Sequence, residues 1–215
     1  MMKIERFVNQ LMTSNCYIVV NEDTKKCIVI DPGSEKSERE ISFIHDNKLT
    51  LDYVLVSHEH SDHNWGVNAL MESFKNAKLV CSEECSKRVN KLYKAYFLLY
   101  YDDTNYHYDM NKPDIVVGVD NTSLNWDGLD IQFIHTPGHS HGSMCIKIND
   151  NLFTGDTIMP SKPYFNGRDS NKDDWNRSVN KLRNLLPGEI HIYPGHGETL
   201  TFGEWIIRNN NETFV

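Results

Sequence analysis

Alternating apolar and polar positions open the chain, and apolar positions at helical spacing interrupt them later. The order of these two patterns predicts the architecture. Strands are expected over residues 3–8, 16–20 and 26–30, with a turn at 21–25. Asp31-Pro32-Gly33 stops the third strand sharply. Ile41, Ile44 and His45 place a helix within 37–48, and the apolar run DYVLVS at 52–57 reads as a buried strand. Val67, Leu70, Met71 and Phe74 mark the next helix, and 78–81 the next strand. From Glu83 to Tyr101 the spacing is again helical, through Val89, Leu92, Tyr93, Tyr96, Phe97 and Tyr100. Leu129, Ile131 and Phe133 share one face of a strand over 129–135. Strands at 144–148 and 152–153 flank Asn149-Asp150-Asn151, a hairpin turn. Trp175, Val179, Leu182 and Leu186 define a helix over 173–186, which Pro187-Gly188 ends. A strand at 190–193 and a short helix bearing Phe202, Trp205 and Ile206 close the series. Strands and helices alternating after an all-strand start predict an α/β layered domain with a mixed sheet.

Length and composition narrow this further. A chain of 215 residues suits one well-cored domain, here 1–215, with a helical, aromatic-rich insertion at about 83–112. The 22 basic and 30 acidic side chains give a formal charge of −8, which disfavours a nucleic-acid or anionic-membrane surface. No apolar run approaches a membrane span. The first 20 residues carry Glu5, Arg6 and Asn9 and lack the apolar stretch of a secretory signal. The five cysteines are odd in number and scattered, which argues against a disulfide framework and for a reducing, cytoplasmic setting.

The ten histidines carry the chemistry. His58-Glu59-His60-Ser61-Asp62-His63 follows a predicted strand directly and packs His58, His60, Asp62 and His63 into six residues. Imidazole and carboxylate suit zinc, iron or manganese. The chain turns at a strand end, so His58 and His60 can point together while Asp62 and His63 face a neighbouring position. Two adjacent metals explain that spacing better than one. His139, Asp156 and His196 share the setting: each follows a predicted strand and has glycine beside it, in TPGHSHG, TGD and PGHG. Polar groups at strand ends along one sheet edge can build one site. Any one histidine alone is more often a surface or core residue; the joint pattern is what points to metal. His45, His107, His135 and His191 lack the setting, and His141 is intermediate.

With Asn15-Cys16-Tyr17, Ile30-Asp31-Pro32-Gly33, HEHSDH, TPGHSHGS, TGDT and PGHG in this order, the sequence resembles the metallo-β-lactamase-fold hydrolases, within them the glyoxalase II (hydroxyacylglutathione hydrolase) type. The resemblance covers essentially the whole chain. It implies a four-layer αββα sandwich with two mixed sheets and the metals at one edge. It implies that His58, His60 and His139 hold a first divalent ion, that Asp62, His63 and His196 hold a second, and that Asp156 bridges them. Zinc is the leading ion, with iron and manganese as alternatives. Asp31 would lie just behind the ligands and orient a histidine. The implied reaction is hydrolysis of a thioester or ester by a hydroxide shared between two cations, with Asp62 orienting it.

Departures from that type bear on substrate. The chain ends soon after His196, without the helical C-terminal domain that helps glyoxalase II bind glutathione. Lys162 and Tyr164 match a glutathione-contacting Lys-x-Tyr element only with a gap, while Arg168 matches an arginine-bearing loop of shorter relatives. The aromatic helix is expected to pack its stripe on the domain or in a homodimer; the competing reading makes Tyr96 part of an acyl pocket. Cys81 and Cys85 are helix-spaced, a weak zinc signal without a second pair. The expected partner is a small-molecule substrate. The alternatives are a mononuclear iron persulfide dioxygenase, a lactonase-like esterase of the same fold, and a non-catalytic descendant.

Overall fold

A computed structural model of the chain describes residues 1–9, 12–89, 108–118, 123–161, 163, 165 and 169–210. It divides into two compact units, Met1–Val116 and Val117–Val215. Each is built on a six-stranded mixed sheet.

The first sheet runs in sequence order: β1 (Met2–Val8), β2 (Asn15–Asn21), β3 (Lys26–Ile30), β4 (Thr50–Val56), β5 (Lys78–Ser82) and β6 (Ile115–Val117). β1, β2 and β3 pair antiparallel as two hairpins. β3, β4 and β5 are parallel, with Ile30 opposite Leu55 and Val56 opposite Cys81. Parallel neighbours need crossovers. α1 (Glu38–Asp46) supplies the first; α2 (Ser61–Asn64) and α3 (Val67–Ser73) supply the second. Ile44 of α1 and Val67 and Leu70 of α3 join Ile18, Val29, Val54, Val56 and Leu79 in one core. α4 (Glu83–Arg88) begins where β5 ends, and the Ser82 hydroxyl caps it by accepting from the Cys85 amide.

In the second unit, β7 (Ser123–Trp126), β8 (Leu129–His135), β9 (Met144–Ile148) and β10 (Asn151–Gly155) form an antiparallel meander. Ile148 pairs with Asn151 across the two-residue Asn149-Asp150 loop. Asn149 adopts the left-handed φ of 52° that its short polar side chain tolerates. α5 (Lys172–Leu185) then crosses over to β11 (His191–Pro194), parallel to β10. β12 (Leu200–Thr201) and α6 (Phe202–Asn210) follow. Trp175, Val179 and Leu182 of α5 and Phe202 and Trp205 of α6 pack with Ile134, Cys145, Leu152 and Ile192. No helix among the described residues is long and apolar enough to cross a membrane.

The predicted elements recur with ends shifted by a residue or two. The differences are short ones. β6, β7 and β12 hold two to four residues each, too few to display a period. α2 is a single turn hidden inside the histidine cluster. Of the predicted aromatic helix, only the first turns are described, as α4; residues 90–107, Tyr96 among them, lie outside the described residues.

Candidate metal centre

In the first unit, the parallel pairing of β3 and β4 puts their C-terminal ends side by side. The Asp31 amide extends the ladder by donating to the Leu55 carbonyl at 3.0 Å. Asp31 then turns at a left-handed φ of 54°. Its buried carboxylate accepts from the Ser57 amide at 2.7 Å and the Ser57 hydroxyl at 2.6 Å. His63 Nδ1 lies 3.1 Å from the same Oδ2 that the hydroxyl uses.

The loop from Ser57 to α2 brings the clustered candidate ligands together. The imidazole centroids of His58 and His60 are 4.6 Å apart, and those of His58 and His63 are 4.3 Å apart. His58 and His63 are fully buried, and Asp62 is 6% exposed. Asn64 clips the loop from behind: its amide donates to the carbonyls of Glu59 at 3.0 Å and His60 at 2.7 Å. Tyr108 donates its hydroxyl proton to the Asn64 carbonyl. A second chain of side chains holds α2. Ser34 donates to Asn9 at 2.8 Å, Asn9 to Ser14 at 2.9 Å, and Ser14 to the Asp62 carbonyl at 2.6 Å.

In the second unit, β8 and β10 are both antiparallel to β9, and β11 is parallel to β10. The C-terminal ends of β8, β10 and β11 therefore share one sheet edge, and His139, Asp156 and His196 follow those ends. The Thr136 and Thr157 hydroxyls meet at 3.0 Å, and the Gly195 amide donates to the Gly155 carbonyl at 2.8 Å. These bonds tie the three ends to one another. The loop bearing His139 rests on the start of α5: Asn171 N donates to the Gly138 carbonyl and the Ser178 hydroxyl to the Pro137 carbonyl, both at 2.7 Å. Gly138 has a φ of 142°, and a Cβ there would lie 2.3 Å from the Trp175 Cα. Only glycine permits that approach.

The donor atoms sit at metal-ligand spacing. One carboxylate oxygen, Asp156 Oδ2, lies 3.4 Å from His139 Nε2 and 3.6 Å from His196 Nε2. In the first unit, His63 Nε2 lies 3.5 Å from Asp62 Oδ2. These distances exceed the about 2.7–3.2 Å of an N–H···O hydrogen bond. They match the about 3.3–3.6 Å edge of a tetrahedron whose metal–ligand bonds are about 2.0–2.2 Å. The residues present thus fit a divalent cation bound by nitrogen and oxygen. Side-chain exposures of 24% at His196 and 12% at His139 leave this part of the array open to a small molecule.

Among the described residues, nothing comparable surrounds the cysteines. All five are buried and free. Burial pushes the Cys145 thiol up to about 11 and the Cys27 thiol up to about 12, so both are neutral packing groups at ordinary pH. Of the other histidines, His45 packs its ring on Phe74 at 5.1 Å, and His135 Nε2 lies 3.3 Å from the His141 carbonyl. Lys162, Tyr164 and Arg168 lie outside the described residues. Sequence reasoning missed Ser57, Asn64, Ser14 and the Thr136–Thr157 pair. Ser57 alone had a legible signal, standing directly before His58, the first candidate ligand.

Residues 10–196 match the family model described as the metallo-beta-lactamase superfamily. A protein of Bacillus velezensis named "Probable polyketide biosynthesis zinc-dependent hydrolase BaeB" is 26% identical over 197 residues, covering 91% of this chain and 76% of its own. A hydroxyacylglutathione hydrolase of Francisella tularensis subsp. novicida is 30% identical over 200 residues, covering 91% of this chain and 68% of its own. The crystal structure of the BLEG-1 B3 metallo-beta-lactamase superposes with a TM-score of 0.83 at 21% identity, covering 96% of this chain and 98% of that one. At that identity the likeness is one of fold. Two mixed sheets with flanking helices, the class expected from the sequence, are the fold found.

Proposed function

The chain belongs to the metallo-β-lactamase superfamily of metal-dependent hydrolases, and on that premise we propose that it is a dinuclear metallohydrolase that cleaves a thioester or ester. The observation that carries the reading is Asp156, whose single oxygen Oδ2 lies at ligand spacing from two histidines, 3.4 and 3.6 Å. A carboxylate so placed suits a bridge between two cations. In this reading His58, His60 and His139 would hold one ion, Asp62, His63 and His196 the other, and Asp156 would be shared by both. Zinc is the proposed ion, supported by the nitrogen-and-oxygen donor set and by the zinc-dependent relative.

Bound there, two cations would supply water activated near neutral pH and an electrophile for the carbonyl oxygen. The protein's own residues do the rest. Asp31 and Ser57 fix the rings of His63 and His58. Asp62, held through its carbonyl by Ser14, directs the attacking water. The partial exposure of His139 and His196 leaves the approach to a small-molecule substrate. The relative named hydroxyacylglutathione hydrolase supports a thioester as the bond cleaved.

The test begins with elemental mass spectrometry of protein purified without added metal or chelator. Close to two ions per chain, with metal-dependent turnover on a panel of thioesters and esters, is the expected result. A single iron per chain with oxygen uptake on a persulfide would replace this reading with the dioxygenase one. Reconstituted protein that turns over no thioester or ester would overturn it.

A further inference from the structure

We infer that Ser57 is a positioning residue that locks the tautomer of His58 and, through Asp31, joins it to His63 in one hydrogen-bonded relay. The Asp31 carboxylate is acceptor-only when ionised. Its Oδ1 takes the Ser57 amide at 2.7 Å, and its Oδ2 takes the Ser57 hydroxyl at 2.6 Å. A serine hydroxyl has one proton, and here it is spent on Asp31. Ser57 Oγ also lies 2.9 Å from His58 Nδ1. With its proton committed, Oγ can only accept, so His58 Nδ1 must carry a hydrogen. His63 Nδ1 faces Asp31 Oδ2 at 3.1 Å and carries a hydrogen for the same reason. Both rings are fully buried, so water does not compete for these bonds. In the neutral form of either ring, a hydrogen on Nδ1 puts the lone pair on Nε2.

One carboxylate oxygen thereby sets two imidazoles, His63 directly and His58 through a hydroxyl. The two differ in kind. His63 is held by a charge, whereas His58 is held by a neutral group polarised by that charge. Removing the Ser57 hydroxyl should release His58 alone. That Nε2 serves a metal rests on the metallohydrolase reading; the tautomers themselves do not.

Long-range proton–nitrogen NMR of the metal-free full chain reads the tautomers directly. His58 and His63 are both expected as the Nδ1–H form. In Ser57→Ala, His58 should become a mixture of tautomers while His63 keeps its form. An Nε2–H form at His58 in the unaltered protein overturns the proposal, as does an unchanged His58 in Ser57→Ala. Ser57→Thr and Ser57→Val differ only by a hydroxyl in place of a methyl, and they decide the matter on zinc-loaded protein where alanine, or loss of metal, costs the fold. By chelator competition, valine should weaken zinc binding about 10–100-fold, and threonine should restore most of it. Equal affinities for the two overturn the role. A chain with these tautomers that hydrolyses no thioester or ester would sink the proposed function and leave the relay standing.

Discussion

Gly33 lies so close to Asp62 that a Cβ on it would fall 1.7 Å from the Asp62 carbonyl oxygen. The same carbonyl accepts the Ser14 hydroxyl at 2.6 Å. The turn after β3 and helix α2, which bears Asp62 and His63, therefore meet backbone to backbone, and the space itself demands glycine. Gly33→Ala must displace α2 or the turn. The expected result is a folded protein destabilised by about 1–3 kcal/mol in urea unfolding, with weaker metal binding because Asp62 and His63 move. Wild-type metal affinity in this variant would show that α2 tolerates the shift.

Asp156→Asn keeps the shape of the side chain and removes its charge. Asp156 Oδ2 is near both His139 and His196, so a bridging role predicts that both ions suffer. Metal analysis after dialysis should find occupancy reduced at both positions and turnover lost with it. Loss of one ion with full retention of the other would argue against a bridge.

The candidate ligands could be picked out because their pattern is local in sequence. Four of them stand within six residues after an apolar run, and His139, Asp156 and His196 each follow a strand and sit beside glycine. Strand-end placement was readable from pattern alone, and the parallel pairing of β3 with β4 and of β10 with β11 turns it into shared edges. What supports the ligands was not legible. Asn9 reaches Ser14, and Ser14 reaches Asp62 across 48 positions. Such contacts depend on register, which no single segment's periodicity encodes. β6, β7 and β12 were missed for a related reason: a strand of two to four residues is specified by its neighbours.

Trp175 offers a test of how α5 supports the second-unit loops. It is 3% exposed, and its indole N–H donates to the Thr157 carbonyl at 2.7 Å, one residue beyond Asp156. Its backbone lies where a Cβ on Gly138, one residue before His139, would collide. Trp175→Phe keeps an aromatic ring and leaves that carbonyl without its donor. Chemical denaturation should show a loss of about 1–3 kcal/mol. Turnover should fall further than stability accounts for, since the bond holds the Asp156 turn. Unchanged kcat/KM in a destabilised variant would confine Trp175 to packing.

Glu40 predicts a pH dependence of stability. It sits on α1, 2% exposed, and burial pushes its carboxyl above the usual range, opposed by its own backbone amide and by Arg39. The folded protein therefore holds this proton at pH values where the unfolded chain has released it. With more protons bound in the native state, stability falls as pH rises. The fall begins near the unfolded carboxyl pKa of about 4.3 and ends above the raised folded value. Below that window Glu40 costs nothing through ionisation; above it, the penalty of the buried charge is fully present. Glu40→Gln removes the titration. Urea unfolding of both proteins across pH 4 to 8 should show the variant gaining on the wild type as pH rises, and then running parallel to it. A difference between the two that stays constant across the range would show that Glu40 is ionised in the folded protein much as it is in the unfolded chain.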